Sequence, residues 1–462
     1  MDAEHYAALS RSVASGRRWI CAGDVGVAAC RMAKQLVDLG GEAFALGSGR
    51  GAGELEDVPR HVIELPPAPS MMDGIRQGIR AIEEPSAEVE AVLEAFDPAR
   101  EAVVLPPMFA SHRTLLGRRV FGGRPLEWAA LEDKTTVDAL WDAAGVPRAP
   151  SQIVPASLDA ARAAAAELDA GHGTAWVADN KLGWHGGAEG LRWVRGDGDA
   201  RAAIADLAPM ADRLRVMPFL EGLPCSIHGI VFPDAMATFR PVEMIVLRRP
   251  DGPRLHYAQA GSFWEPPRAV GDEMRGLAIR TGEYLRATTG YRGAFTIDGV
   301  WTDAGFRPTE LNARYGAALN FLTRSIPGLW LYFLCQCVVE GLELDYRPRQ
   351  LEELVLRGSR EHRAAGGMAH TTEVLSESRT LRLALEGDTW RTVEDGEAPA
   401  DATAAVGPGP TGGIVIVRLD PERTPVGPSS APRVAGLLQA LDGMLGLGVG
   451  TLLPAPDPSG SS

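Results

Sequence analysis

The sequence is poor in several things, and each scarcity excludes something. Only three of its 46 basic residues are lysine (Lys34, Lys134, Lys181), and it has only three asparagines (Asn180, Asn312, Asn320). Where arginine has displaced lysine so widely, the surviving lysines are enriched for sites that need a compact ammonium rather than a planar fork. Positive charge is also in deficit, with 46 basic against 60 acidic residues and a formal net charge of −14. That balance argues against bulk attraction to nucleic acid or an anionic membrane, so any phosphate held here is held locally. No apolar run is long enough to cross a bilayer: the longest, Leu329 to Val339, is broken by Gln336 and reads as a buried helix. The five cysteines (Cys21, Cys30, Cys225, Cys335, Cys337) are odd in number, without CxxC spacing or a histidine cluster, which excludes a disulfide framework and a zinc site. The first residues are acidic and polar, without signal-peptide character, so a cytoplasmic location is expected.

What is present suits a large globular enzyme. The 462 residues, 45% hydrophobic and 23% charged, allow about three domains. Arg17 to Gly51 reads as strand, helix, strand, with a glycine pair ending the helix, and Glu101 to Pro107 would add a further parallel strand. The turn GDVGVA lacks the GxGxxG pattern, which argues against a dinucleotide oxidoreductase. From Leu131 the pattern becomes α+β: a helix, an alanine-rich helix, the strand AWVADNK, the glycine-rich turn LGWHGGAEG, the strand RLRVMPFL, three strand-like stretches, a helix near Gly271 to Thr289 and a hairpin pattern. Beyond Tyr346 the chain is rich in arginine and glutamate. It loosens over EAPADATAAVGPGPTGG before one strand (IVIVRL), one amphipathic helix and a tail expected to be disordered.

The strongest chemical signal is FTIDGVWTDAGFRPTELNARYG. Its two strand-forming halves flank a TDAG turn, so Asp298 and Glu310 can face each other across an antiparallel pair, with Asn312 and Arg314 following at the period of two. Two carboxylates and an amide oxygen are hard ligands suited to Mg²⁺. Lys181 precedes the glycine-rich turn, whose amides can fold over polyphosphate, and Lys134 begins another helix; each ammonium is placed to meet phosphate. The bland alternatives, a solvated hairpin and solvated helix or strand ends, stay open for each feature alone.

Together these motifs, in this order, resemble the ATP-grasp superfamily over roughly Arg17 to Gly341: a βαβ start, EDK ahead of AGVP, a lysine before a glycine-rich lid, the hinge MPFLEG, then GAFTIDG and ELNAR, which is similar to an E-x-N-x-R signature. The resemblance implies an α/β and α+β ATP-grasp fold with an N-terminal Rossmann-like pre-ATP-grasp domain (1–130). A core at 131–345 would follow, with a lid subdomain near 150–217, then a small C-terminal extension (346–450) and a disordered tail (451–462). It implies ATP and Mg²⁺ as cofactors. Lys134 and Lys181 would contact ATP phosphates, Gly186, Gly187 and Gly190 would close over them with His185 or Glu189 beside them, and the backbone near Met217, Phe219 and Leu220 would bind adenine. Asp298, Glu310 and Asn312 would hold the metal, and Arg292 and Arg314 would stabilise charge on the transferring phosphoryl group. One departure stands out: Pro224 occupies the place expected for a ribose-binding acid, leaving Glu221 as the candidate substitute.

The activity implied is an ADP-forming carboxylate–amine ligase acting through an acyl phosphate, in a superfamily that often forms homodimers. The C-terminal pattern is similar to pheganomycin-type peptide ligases of antibiotic biosynthesis, which would make the substrates an amino acid and the N-terminus of a peptide. Arg240, Arg248, Arg249 and Glu243 lie between hinge and metal site, where Glu243 is expected to meet an amine or guanidinium. The rivals are a biotin-carboxylase-like or purine-pathway-like enzyme acting on a small metabolite, and a nucleotide-binding regulatory protein without turnover.

Overall fold

The computed structural model describes residues 3–458 apart from 24, 107–112, 181–184, 372, 395 and 398. Four sheets of four or more strands organise them. The first is parallel, in the order Arg60–Ile63, Glu42–Ser48, Arg18–Gly23, Val103–Leu105. Its strands are apolar on both faces because helices cover both sides, as parallel sheets require. The helix Gly26–Asp38 starts hard against Gly47, where a Cβ would lie 2.5 Å from the Gly26 backbone; only glycine permits that approach.

The second sheet is antiparallel, in the order Gln152–Pro155, Arg213–Pro218, Thr174–Ala178, Leu191–Val194. Helices Leu158–Leu168 and Asp197–Leu207 pack on it through buried alanines (Ala161, Ala164, Ala200, Ala203), whose small side chains let helix and sheet sit close. The central sheet runs Leu255–Gly261, Val242–Arg248, Leu223–Val231, Gly293–Thr302, Gly305–Asn312, and the long helix Arg268–Thr289 covers part of it. The apolar run becomes the helix Leu331–Glu340, with Phe333, Leu334, Cys335 and Val338 buried. All five cysteines are buried thiols.

Residues beyond 346 are more ordered than the sequence suggests. They form a five-stranded antiparallel sheet, in the order Gly366–Thr371, Gly412–Leu419, Ala402–Gly409, Arg379–Glu386, Thr389–Thr392, backed by the helix Ala431–Leu445. The stretch expected to loosen, ATAAVGPG, is an inner strand. Its Pro408 is tolerated because pairing with Arg379–Glu386 ends at Val406, so the missing N–H falls where no neighbouring strand requires it. The sheet and helix share a core with Ile245, Leu247 and Ala258 of the central sheet. The disordered tail is likewise corrected over its described part: Leu452 is fully buried and Leu453 exchanges backbone hydrogen bonds with Arg248.

Candidate active site

The clamp forms where two strands of the central sheet meet. Gly293–Thr302 and Gly305–Asn312 pair antiparallel with Asp298 directly opposite Glu310 and Thr296 opposite Asn312; a register shift follows Asp298. Asp298 Oδ1 accepts from the Ser226 hydroxyl at 2.5 Å, and Oδ2 accepts from Asn312 Nδ2 at 2.8 Å. Lys134 Nζ lies 3.1 Å from Glu310 Oε1. Burial raises the Asp298 carboxyl, and the facing Glu310 raises it further, to about 7, against the pull of Ser226, Arg314 and Lys134. A site that crowds two carboxylates against one ammonium has room for more positive charge.

Arg314 is oriented from behind. It donates to Asn312 Oδ1 at 2.8 Å, and its Nε lies 3.4 Å from Glu132, which also receives Arg124 at 2.5 Å. Arg124 in turn donates to the Ala313 carbonyl at 2.8 Å. Arg124 lies in no motif, and Glu132, the glutamate of EDK, stands out in the sequence only as a neighbour of Lys134; only the fold brings both to Arg314.

One cleft of about 270 Å³ gathers Lys134, Asp298, Glu310, Asn312 and Arg314 with the glycine-rich turn 185–190 and the hinge Met217–Leu220. Lys181 lies outside the described residues. Within the turn, His185 Nε2 is 2.7 Å from the Asp179 carbonyl, and both Glu189 oxygens are taken by Arg76 in a fork at 2.7 and 3.0 Å. Burial alone would raise Glu189, but the His185 ring and the Arg76 guanidinium outweigh it and hold the carboxyl near 2. Glu189 therefore lines the cleft while its oxygens anchor the turn to the helix Met71–Glu83. Arg76 comes from the N-terminal third of the chain, so no local signal could have announced it.

The hinge is partly committed. Pro218 has no N–H, and the Phe219 N–H donates to the Gly173 carbonyl at 3.0 Å, so Met217–Leu220 offers a planar ligand carbonyls, the Leu220 N–H and the packed side chains of Met217 and Phe219. Pro224 lines the cleft, while Glu221 is held by Arg248 in a fork at 2.6 and 3.1 Å. That guanidinium also lies over the Trp193 and Phe219 rings, at 5.0 and 5.3 Å. The expected ribose substitute is thus occupied.

Two further expectations are corrected. Arg292 is absent from the cleft lining: its Nε donates to the Val339 carbonyl at 3.2 Å, at the end of the helix Leu331–Glu340, where a cation meets the negative helix terminus. Glu243 meets neither amine nor guanidinium. It accepts from the Ser429 hydroxyl and from the N–H groups of Ser430 and Ala431 at 2.8 and 3.2 Å, at the start of the helix Ala431–Leu445. Sequence reasoning also missed Tyr257 and Ala455, which line the cleft; Ala455 belongs to the supposed tail.

No family model matches the sequence, and no curated protein matches it. Solved structures do. N5-carboxyaminoimidazole ribonucleotide synthetase, crystallised with ADP, superposes at 14% identity with a TM-score of 0.51 over 93% of this chain and 98% of its own. A biotin carboxylase from Campylobacter jejuni, in an ATP complex, matches at 14% identity and 0.54 over 87% of both chains. The biotin carboxylase domain of Hydrogenobacter thermophilus 2-oxoglutarate carboxylase, with MgADP, ADP and bicarbonate, matches at 13% identity and 0.52 over 93% of this chain and 89% of its own.

The chain has the ATP-grasp fold. In that fold the cleft lies between the second and central sheets, with the glycine-rich turn on one wall and the paired acids on the other. No helix among the described residues is long and apolar enough to cross a membrane.

Proposed function

We propose that this chain is an ATP- and Mg²⁺-dependent ligase that activates a carboxylate as an acyl phosphate and joins it to an amine, releasing ADP and phosphate. The observation that carries the reading is the facing pair Asp298–Glu310, gathered in one cleft with Lys134, Asn312 and Arg314. The residues fit a divalent cation: two carboxylates face each other with Asp298 raised toward neutrality, and Asn312 Oδ1, though bonded to Arg314, keeps a second lone pair. Asp298, Glu310 and Asn312 would hold Mg²⁺, which supplies neutralisation of phosphate oxygens when bound.

The chain's own groups account for the rest. Lys134 and Arg314 bring cationic donors to the same wall as the acids, where they stabilise charge that develops on a phosphoryl group. Lys181, placed by sequence at the root of the turn, would add another. The turn 185–190, pinned by Arg76, limits water at the cleft, which an acyl phosphate needs because water competes with the amine. The finer reading makes the acid an amino acid and the amine a peptide N-terminus.

A second reading draws on the structural neighbours, which cover 93% of this chain and of which one is crystallised with bicarbonate: activation of bicarbonate, with a small metabolite supplying the amine. An ADP-release screen separates the two. Amino acids and short peptides, alone and in pairs, are run beside bicarbonate with candidate amines, with mass detection of the product. Release that requires an amino acid and yields a condensed peptide supports the first reading. Bicarbonate-dependent release supports the second, and AMP formation or no nucleotide turnover removes both.

A further inference from the structure

A second, larger cavity of about 660 Å³ lies behind the active site. It is lined by Arg31 on the helix Gly26–Asp38, Arg324 just after a short helix and Arg418 on the strand Gly412–Leu419, three elements far apart in the chain. Arg363 also reaches it, but that guanidinium is committed to the Ser262 carbonyl and to Glu265. The other three guanidiniums have no carboxylate or hydrogen-bond partner among the described residues, and no Asp or Glu is among the described residues lining the cavity. Arg324 lies over the Phe321 ring, 4.1 Å from its centroid.

This is unusual company in a chain with a net charge of −14, in which arginine after arginine elsewhere is paired. Three like charges that converge without a counterion repel one another even though each keeps an exposed surface in water, and a bound anion relieves that repulsion. Partial enclosure by the cavity walls, then Arg418 and Arg31, lowers Arg324, and partial enclosure, then Arg31, lowers Arg418, although both side chains keep an exposed surface. The floor is different in character. Trp330, Leu331, Met32 and Tyr315 give an apolar and aromatic surface beside the charged wall.

The cavity also abuts the chemistry. Arg314 and Gly316–Ala318 line the catalytic cleft, while Tyr315 and Asn320, from the same short stretch, line the arginine cavity. We propose that this cavity binds an oxyanion group, carboxylate or phosphate, of the substrate that is joined in the adjoining cleft, with Arg31, Arg324 and Arg418 as its receptors and the Trp330 face against its apolar body. Guanidinium forks match the paired oxygens of both anions, so the shared chemistry is what the site reads. The identity of the carrier as a substrate rests on the ligase reading above; the anion site itself does not.

The test has two layers. Calorimetric titration of the full chain without nucleotide, using inorganic phosphate in one series and succinate in another, should show saturable binding of at least one. R324Q/R418Q, checked for native circular dichroism, should weaken it at least tenfold. R31Q, which removes one of the three charges, should weaken it less, and E310Q should leave it unchanged. Saturation by phosphate alone identifies a phosphate-bearing ligand, and saturation by succinate alone a carboxylate-bearing one. Failure of both anions to bind wild-type protein, or equal binding by R324Q/R418Q, overturns the proposal. In turnover, R324Q/R418Q should raise the KM of the anionic substrate at least tenfold and leave the KM for ATP unchanged; an unchanged substrate KM overturns the substrate assignment. If wild-type protein binds no MgATP, the ligase reading falls while the anion titration is still decided on its own result.

Discussion

Glu243 and Asp298 lie in the same sheet, separated by one strand, and burial raises both carboxyls to about 7. They nevertheless do different work. Asp298 shares its row with Ser226 and Val242, whereas Glu243 shares the next row with Cys225 and Gly299, so the two acids emerge on opposite faces. On its face Glu243 finds a hydroxyl and two helix N-terminal amides, all from its own chain, and becomes a fastener for the C-terminal helix. Asp298 finds a second acid and a cleft. A perturbed carboxyl is thus not itself a mark of function; what separates the two is whether the chain supplies enough donors to satisfy it. The arginines divide the same way. Arg215, fully buried, lines the cleft yet is saturated by a fork to Asp138 at 2.6 and 2.9 Å and by the Thr309 carbonyl, whereas Arg324 and Arg418, both exposed, have no such partners among the described residues.

That contrast can be broken by substitution. The largest effect should be Glu310→Gln, an unsaturated acid: amine-dependent ADP release should fall by at least about 10³, or about 4 kcal/mol of transition-state stabilisation. Its thermal midpoint should barely move, because the lost Lys134 pair is offset by relief of repulsion with Asp298. Wild-type turnover by this variant would remove the proposed metal clamp.

The saturated groups should behave in the opposite sense. Arg215→Leu removes the fork from the Asp138 carboxylate, leaving it the Ser151 hydroxyl and the more distant Arg148, and should cost about 3 kcal/mol in denaturant unfolding. Glu243→Ala removes the acceptor of the Ser429 hydroxyl and of the Ser430 and Ala431 N–H groups, of which Ala431 keeps a bond to Ser429 Oγ, and should cost about 2 kcal/mol, with the Ala431–Leu445 amides exchanging hydrogen faster; a neutral result would show that the helix start is not held there. The smallest effect should be Arg76→Ala. Releasing Glu189 should cost about 1 kcal/mol of global stability, and the sharper readout is protease cleavage near 186–190, which should accelerate. If MgATP fails to slow that cleavage in wild-type protein, the turn does not cover the nucleotide.

Much of the site was legible because it is local. Asp298, Glu310 and Asn312 belong to one hairpin, and the period of two places them together without knowledge of anything else in the fold. The resemblance, by contrast, puts Arg292 at the phosphoryl group, whereas this residue, just before that hairpin's first strand, is taken by the end of a helix some 47 positions later. From sequence Glu243 is expected to meet an amine or guanidinium, but the alternation along Val242–Arg248 divides it from the cleft-facing Met244, Val246 and Arg248. The inner strand Ala402–Gly409 was hidden by its glycines and proline, whose cost disappears only when the neighbouring strand is seen to stop at Val406.

The amino-acid sequence by itself determined the order of strands and helices, the facing acids and the glycine-rich turn, because hydrophobic period and hairpin register act over a few residues. Tertiary structure alone decided which charges are saturated. Arg76 on Glu189, Glu132 behind Arg314, the helix start on Glu243 and the convergence of Arg31, Arg324 and Arg418 all join residues remote in the chain, and a charge's role follows from the partners that folding places within a few ångströms of it.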